Sequence, residues 1–350
     1  MNQNMKIIRE TQTLLPREAL KVADRLRKSR EASSQSLSAD SQVLRENTLL
    51  PDTNSSATNV IDQSVLRFDC SQPARVTARA VLAAEFSAVR KGIVLASNES
   101  LPLIERLAGV HRSRRGLKRL QALRDLLQPG FPQGRILARA SIRRAKASLA
   151  ETRQRDALAS LLEELCALRG QPLTTAADGA THVTHLAPSS KCIEEALDSI
   201  AIAQRSMRLY SGSPLDWYEV TAQFSKTWQN ARGLAHRAWL GLGEKDLHET
   251  RKKFQRLADQ MAALGGCIGR KEYSARNRLR SAAENLGRAR DLALLADKIE
   301  GTTAEGRALA KRALALRAKA IRCARKQSRC ALTATAGNMS QMMNQRIKQS

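Results

Sequence analysis

The sequence is poor in the residues that β-structure and chain reversals require. Aromatic residues make up only 3% of the chain, and 18 glycines and 9 prolines stand among 350 residues. An all-β sandwich or barrel needs aromatic and β-branched strands with frequent turns, so this composition excludes such folds. Ala, Leu, Arg, Gln, Glu and Lys dominate, and a hydrophobic fraction of 42% excludes global disorder. The composition therefore predicts an all-α protein.

Two other kinds of feature are missing. No run approaches the roughly 18 apolar residues of a membrane-spanning helix, and the first residues lack the apolar core of a secretory signal. The cysteines form no Cys-x-x-Cys pair, so we expect small buried hydrophobic residues in a reducing compartment rather than a disulfide or zinc framework. A cytoplasmic protein without membrane association is expected. The cysteines stand at positions 70, 166, 192, 267, 323 and 330.

Charge is plentiful and unevenly distributed. The chain carries 59 Lys and Arg against 33 Asp and Glu, a formal net charge of +26. Residues 1–69 account for only +1 of this, and residues 70–350 carry +25. A concentrated positive field attracts and holds polyvalent anions, so the second region is predicted to bind an anionic partner.

The boundary near residue 70 also separates two regions that differ in their predicted secondary structure. Residues 1–69 are interpreted as a short helical segment followed by a Ser/Thr/Asn-rich flexible linker. Helical patterns recur through 70–340, in halves of about 70–170 and 191–340 separated by a loop over 169–190, and 341–350 is a tail. The predicted helices cover about 75–96, 101–128, 134–168, 191–210, 215–241, 244–264, 270–300 and 303–334.

One motif occurs twice at a nearly constant spacing. Residues 110–120 and 247–257 both follow the pattern apolar-His-x-x-Arg-basic-x-apolar-x-Arg-Leu. Each is followed by an Arg-Asp pair that is expected to open a further helix. The two His are 137 residues apart and the two Asp 135, which indicates duplication of a helical unit. The pairs are Arg155-Asp156 and Arg290-Asp291.

Helical periodicity places the basic residues of each motif on one face. At about 100° per residue, positions 0, 3, 4 and 8 from each His lie within an arc of roughly 140°, and the apolar residues face the other way. A merely solvated face normally mixes charges of both signs, whereas few acids interrupt these stripes. Two such stripes, each about 12 Å long, are expected to line one groove. They contain His111, Arg114, Arg115, Lys118 and Arg119, and His248, Arg251, Lys252 and Arg256.

These residues resemble the CHAD family, the conserved-histidine α-helical domain. Its hallmark is a twice-repeated His-x-x-Arg helix with a later Leu-Gly-x-x-(Arg/Asn)-Asp motif in each half. Residues 286–291 match the second motif. Residues 224–232 resemble the basic helix in the middle of the family's domain, with Trp228 where an aromatic residue is usual. The resemblance extends over about 72–335, although Gln255 occupies a usually basic position.

The resemblance implies an all-α fold of two pseudo-symmetric helical bundles with a basic groove or channel between them. It also implies binding of inorganic polyphosphate and association with polyphosphate granules. A linear polyphosphate is a dense row of negative oxygens, so it calls for many Lys and Arg donors along a track. Arg155 and Arg290, beside the repeated Asp residues, and Lys226 and Arg232, on the middle helix, therefore join the stripe residues as candidate ligands.

The two repeated histidines have three interpretations. As phosphate ligands, His111 and His248 would gain charge near a bound anion. As metal ligands they lack cysteine or carboxylate partners at ligand spacing, and as packing residues they would not be expected to recur in register with the basic stripes. The first interpretation is preferred. The pair His182 and His185 is a weak metal signal, and we expect neither a metal nor a cofactor.

The sequence offers little support for an enzyme, since it has no GxxxxGK[ST] loop, no HExxH and no Gly-rich strand-to-helix turn. The main alternative is a nucleic-acid-binding helical protein, because net charge does not distinguish polyanions. Few aromatic side chains are available for stacking, and no base-reading motif is apparent. A third interpretation is a granule scaffold, in which residues 1–69 recruit a granule-associated protein.

Overall fold

The computed structural model shows an all-helical protein. None of the residues that it describes is in a β-strand, so the all-α fold class is confirmed. Those residues belong to one compact unit, Ile61–Ser350. Of the helical segment and linker predicted for 1–69, only 67–69 are among the residues that the structure describes. Of the loop predicted for 169–190, only 185–190 are described. The described ranges are 67–167, 185–209, 215–241, 243–268, 270–299 and 304–333, with 341, 343–345 and 347–348.

The helices follow the predicted segments closely, with ends that agree to within about four residues. The exception is 134–168, which was predicted as one helix and is divided in two. None of the described helices combines the length and apolarity that crossing a membrane requires. The helices are α1 (Ala74–Ser97), α2 (Leu103–Leu126), α3 (Arg135–Ser148), α4 (Ala150–Ala167), α5 (Ser190–Ser206), α6 (Trp217–Gly241), α7 (Glu244–Ala263), α8 (Arg270–Ile299) and α9 (Ala304–Ala331).

The division between α3 and α4 falls at Leu149, which neither glycine nor proline marks. Its backbone lies at φ −94° and ψ 9°, and its side chain is fully buried. Nearby, the Arg114 guanidinium donates a hydrogen bond to the carbonyl of Lys146 in the last turn of α3. Burial of Leu149 and a tertiary contact to the helix end accompany the break, which is why local periodicity missed it.

The two repeat helices, α2 and α7, pack directly against each other. The Gln260 side-chain amide of α7 donates to the carbonyl of Ala122 in α2 at 3.1 Å. α1 pairs with α2 and α8 with α9, while α5 packs against α3 and α1. The α1–α2 approach is close enough that a Cβ on Gly109 would lie 2.7 Å from backbone atoms of Gly92 and Ala96. Glycine is therefore required at this crossing.

The buried apolar residues form two clusters. The larger one includes residues of α1–α3, α5–α7, the first half of α8 and the end of α9, and also Met343 of the predicted tail. The smaller one joins α4 to the second half of α8 and the first half of α9. α8 and α9 contribute to both, so they connect α4 to the rest of the helical body.

A disulfide joins Cys70 to Cys267, with an S–S distance of 2.06 Å across 197 residues of sequence. The expectation that the cysteines are unpaired buried residues is therefore wrong. The pair meets because the amide of Phe68 donates to the carbonyl of Ala263 at 2.7 Å, which holds the segment before α1 against the end of α7. Such a tertiary contact leaves no spacing signal. Among the remaining thiols, Cys166 is buried, Cys192 is partly exposed, and Cys323 and Cys330 are exposed.

Candidate functional site

A cavity of about 790 Å³ lies between α2, α4, α7 and α8. Ten Lys or Arg side chains and one His line it, against five Asp or Glu, and we call it the basic cavity. The basic lining residues are His111, Arg114, Arg115, Lys118 and Arg119 of α2, Arg153 of α4, Arg251 of α7, and Arg276, Arg280, Arg288 and Arg290 of α8.

α2 brings all of its predicted stripe residues to this cavity. Its opposite face buries Val110, Leu117 and Leu120, as the helical phase predicted. α7 contributes only Arg251 from its stripe, and α8 contributes Arg290. The structure therefore brings seven of the thirteen predicted ligands together in one lining.

The other six predicted ligands lie outside the lining. Three form ion pairs with nearby carboxylates. Lys226 is exposed on α6, Arg232 lines a separate cleft beside α9, and His248 lines a small pocket that shares Arg251 and Arg290 with the basic cavity. The three ion pairs are Arg155–Glu151, Lys252–Glu249 and Arg256–Asp125, each at 2.7 Å.

Four cavity-lining arginines were not predicted: Arg153, Arg276, Arg280 and Arg288. Two of them had a signal in the sequence, because Arg153 and Arg288 each stand three residues before a repeated Asp and so share its helix face. Arg276 and Arg280 occupy the same side of α8 without a counterpart in the first half.

The repeated Asp residues also lie elsewhere than expected. Asp156 is inside α4 and Asp291 is inside α8, so neither pair opens a helix. Both carboxylates line the basic cavity among its arginines. Asp156 accepts a hydrogen bond from Arg153 at 3.3 Å, so this carboxylate orients a neighbouring Arg side chain.

Part of the cavity's positive charge is neutralised by carboxylates. Arg119 donates from Nε to both oxygens of Glu85 in α1, at 2.8 and 2.9 Å, and Glu85 is only 1% exposed. Arg280 pairs with Glu284 at 3.0 Å, and Arg288 pairs with Glu164. These arginines are held in place by their partners and have fewer donors left for a ligand.

Three cations are in a different situation. Among the described residues, Lys118, Arg251 and Arg290 have no hydrogen-bonded or ion-pair partner. Arg251 lies over Gly287, where a Cβ would be 2.9 Å from its Nη2 atom, so the glycine of the Leu-Gly motif makes room for this guanidinium. These donors are available to an incoming anion.

Burial and mutual repulsion lower the pKa values of several cations here. Burial, and then the charges of Arg251 and Arg114, lower the pKa of Lys118 to about 8. Burial, and then Lys118 and Arg114, do the same for Lys146, whose pKa is also about 8. Burial and the neighbouring Arg153 lower the pKa of Arg114 to about 10. The cavity disfavours its own positive charge, so a bound anion would relieve this repulsion.

Two acids of the cavity, Asp259 and Asp291, have raised pKa values. Burial raises the pKa of Asp259 to about 6, although Gln255 donates to its Oδ1 at 3.0 Å. Burial also raises the pKa of Asp291, against the opposing effect of Arg251. Both carboxyl groups are therefore easier to protonate than ordinary aspartates, which reduces the negative charge that a polyanion would meet.

The histidines differ in their surroundings. Arg115 Nη2 donates to His111 Nε2 at 2.9 Å, and because a guanidinium can only donate, this imidazole is a neutral acceptor. Burial, followed by the charge of Arg153, lowers the pKa of His111, and burial, followed by the charge of Lys252, lowers the pKa of His248.

His185 lies 3.1 Å from Asp156 and 3.2 Å from Glu163. Within the described part of the chain, no three His, Cys, Asp or Glu side chains are placed to hold a metal ion.

No family model and no curated protein matches this sequence. A crystal structure of the CHAD domain from the plant Ricinus communis is similar to this chain, with a TM-score of 0.55 and 19% sequence identity. The match covers 77% of this chain and 95% of that one. At this identity the likeness establishes the fold, so the CHAD fold predicted from the repeated motif is confirmed.

Proposed function

We propose that this protein, which has the fold of a CHAD domain, binds inorganic polyphosphate in the basic cavity. The observation that carries the proposal is the convergence of ten Lys or Arg side chains from four helices on one cavity of about 790 Å³. A linear polyphosphate presents many anionic oxygens over a short length, so several of these donors can make charge-assisted hydrogen bonds to it together.

The lining favours a slender polyanion over nucleic acid. None of the residues that line the cavity, all of which are described, is aromatic, so single-stranded bases find no stacking surface there. A duplex carries its phosphates on the outside of a wide helix and would reach only donors at the rim. Lys118 and Arg251 are partly buried, which suits a chain that enters the cavity.

We propose binding without catalysis. Four of the five cavity carboxylates are engaged by basic or amide side chains: Arg153 and His185 contact Asp156, Arg288 contacts Glu164, Arg280 contacts Glu284, and Gln255 contacts Asp259. These carboxylates orient the cationic donors. We therefore propose that the lining serves to bind the anion and carries out no chemical step on it.

The first test is a salt-titrated competition. Labelled long-chain polyphosphate bound to the full chain is challenged with RNA and with duplex DNA at equal phosphate concentration. We expect binding to persist near physiological salt without effective competition by either nucleic acid. Equal competition with a steep common salt dependence would instead identify a general polyanion surface.

A matched pair of triple variants localises the site. Changing Lys118, Arg251 and Arg290 together to Gln removes the donors that have no partner, and we expect about 100-fold weaker polyphosphate binding. The control changes Arg112, Arg143 and Arg144 to Gln, because these exposed residues lie outside the cavity lining and remove the same charge. Arg119 and Arg256 are left intact because each pairs with a carboxylate. Equal loss in both variants, with native helicity, would contradict the assignment.

Proton uptake gives an independent readout. A bound polyanion raises the pKa of Lys118 and Lys146 from about 8 towards the ordinary lysine value, so binding at pH 8.5 should take up protons. Calorimetry in two buffers of different ionisation enthalpy measures this uptake. Binding at a place remote from these two lysines would leave it near zero.

Association with polyphosphate granules is part of the proposal, with residues 1–69 contacting a granule-associated protein. The full chain and a chain that starts at Ile61 are compared in cells that contain granules. We expect both to reach the granules, because the cavity lies in the unit Ile61–Ser350, and only the full chain to retain the protein partner.

A further inference from the structure

A second cleft, of about 230 Å³, lies between α6 and α9 and shares no lining residue with the basic cavity. Four basic side chains line it: Arg232 and His236 from α6, and Arg325 and Arg329 from α9. All of its lining residues are described, and none of them carries a carboxylate. Its positive charge therefore has no counter-ion within the lining.

Two residues of the lining each carry a buried donor atom that has no hydrogen-bond partner: the indole Nε1 of Trp239 and the Nε of Arg325. Trp239 is only 7% exposed, and its indole nitrogen can only donate. Buried polar groups are normally hydrogen-bonded, so a pair of unused donors in one cleft calls for an acceptor. A ligand oxygen would supply it.

The remaining wall is apolar. The Trp239 ring and Leu240, which is 74% exposed despite its size, provide surface for a hydrophobic group. A cavity of about 150 Å³ holds benzene, so this cleft has room for one ring and a charged group. Polyphosphate has no apolar part and would leave this wall unused.

We propose that this cleft binds a small free organic anion that joins one apolar group, the size of a single ring, to a phosphate or carboxylate. Arg232, Arg325 and Arg329 hold the charged end, and the Trp239 indole donates a hydrogen bond to it. The apolar group packs between the Trp239 ring and Leu240.

The test is calorimetric titration of the full chain with phenyl phosphate, compared with phenol and with inorganic phosphate. Phenyl phosphate combines both recognised parts, so it should bind at least about tenfold more tightly than either. R232Q and R329Q should each weaken it about tenfold, while W239F, which keeps the ring and loses the donor, should weaken it about two- to tenfold. R322Q is the matched control, since Arg322 is exposed on α9 outside the cleft.

Equal affinity for phenyl phosphate and inorganic phosphate would overturn the proposal, as would unchanged affinity in both R232Q and R329Q. Displacement by long-chain polyphosphate, together with loss of binding in the Lys118, Arg251 and Arg290 triple variant, would place the anion in the basic cavity and also overturn it. Retained binding in that triple variant supports a second, independent site.

Discussion

The two repeat helices carry the same motif but contribute differently to the basic cavity. α2 lines it with five basic residues, whereas α7 lines it with Arg251 and with the uncharged Gln255 and the acidic Asp259. At the spacing of the repeat, Gln255 is the counterpart of Lys118, and Asp259 is the counterpart of Ala122. The two motifs thus share the helix and its phase but differ in the charge that they bring to the cavity.

The counterparts also differ in their neighbours. Arg119 of α2 is paired with Glu85, which is 1% exposed, whereas Arg256 of α7 is paired with Asp125, whose side chain is 23% exposed. His111 contacts Arg115, but Lys252, the counterpart of Arg115, turns to Glu249. A repeated motif therefore predicts which residues share a face, and the packing around each helix decides which of them remain free for a ligand.

The largest expected effect concerns the disulfide after α7, which has no counterpart after α2. Cys70→Ser removes a cross-link that spans 197 residues, and the chain-entropy account predicts a loss of about 5 kcal/mol in the free energy of unfolding. Urea denaturation measures it. Cys330→Ser, at an exposed free thiol, is the control, and an equally small change in both variants would contradict the prediction.

The next largest effect is expected on the free energy of unfolding when the pairs Arg119–Glu85 and Arg256–Asp125 are broken. Glu85→Gln leaves Arg119 without its buried counter-ion, so the free energy of unfolding should fall by about 3 kcal/mol. Arg256→Gln, at the more solvated pair of α7, should cost about 1 kcal/mol, and it leaves the contact between Asp125 and Arg124 in place. Both variants are compared with the wild type by urea denaturation at pH 7. A larger loss in the α7 pair would reverse the ranking inferred from burial.

Much of the fold was predictable because its signals are local. Apolar and basic residues at helical spacing located the helical segments, except that α3 and α4 were predicted as one helix, and the repeated His-x-x-Arg motif identified the CHAD fold. The break at Leu149 and the disulfide were not predictable, since each depends on contacts between residues far apart in sequence.

The candidate site was predicted where helix phase alone decides, as for the five residues of α2. Which of these side chains remains free for a ligand was not predictable, because a partner from another helix decides it. Arg115 and Arg119 are equivalent on the stripe, yet only Arg119 meets Glu85, from a helix that carries no part of the motif. Arg276 and Arg280 reach the cavity because α8 extends past it, and no repeat in the sequence marks them.

A smaller effect is expected on the pH dependence of stability. It comes from Lys118, whose position in α7 is occupied by Gln255. The pKa of Lys118 falls from 10.5 to about 8 in the folded chain, so the unfolded chain binds more protons between these values. Without a ligand, stability should therefore rise as pH increases from about 8 to about 10. Lys118→Met should reduce this rise by about 1–2 kcal/mol, as measured by urea denaturation across that range. Gln255→Met, at the uncharged counterpart, should leave the rise intact, and the same loss in both variants would contradict the assignment.

The smallest expected effect is on polyphosphate affinity, when the residue types at positions 118 and 255 are exchanged one at a time. Lys118→Gln makes α2 resemble α7, and should weaken polyphosphate binding about fivefold and lower the salt dependence by about one unit of slope. Gln255→Lys makes α7 resemble α2 and should strengthen binding by less, because the new ammonium lies beside Asp259, the present acceptor of the Gln255 amide. Fluorescence titration over a salt series measures both changes. Shifts in opposite directions would mean that the charge at this position, rather than the repeated motif itself, sets the affinity of each half. No shift in either variant would mean that the polyanion does not reach this part of the cavity.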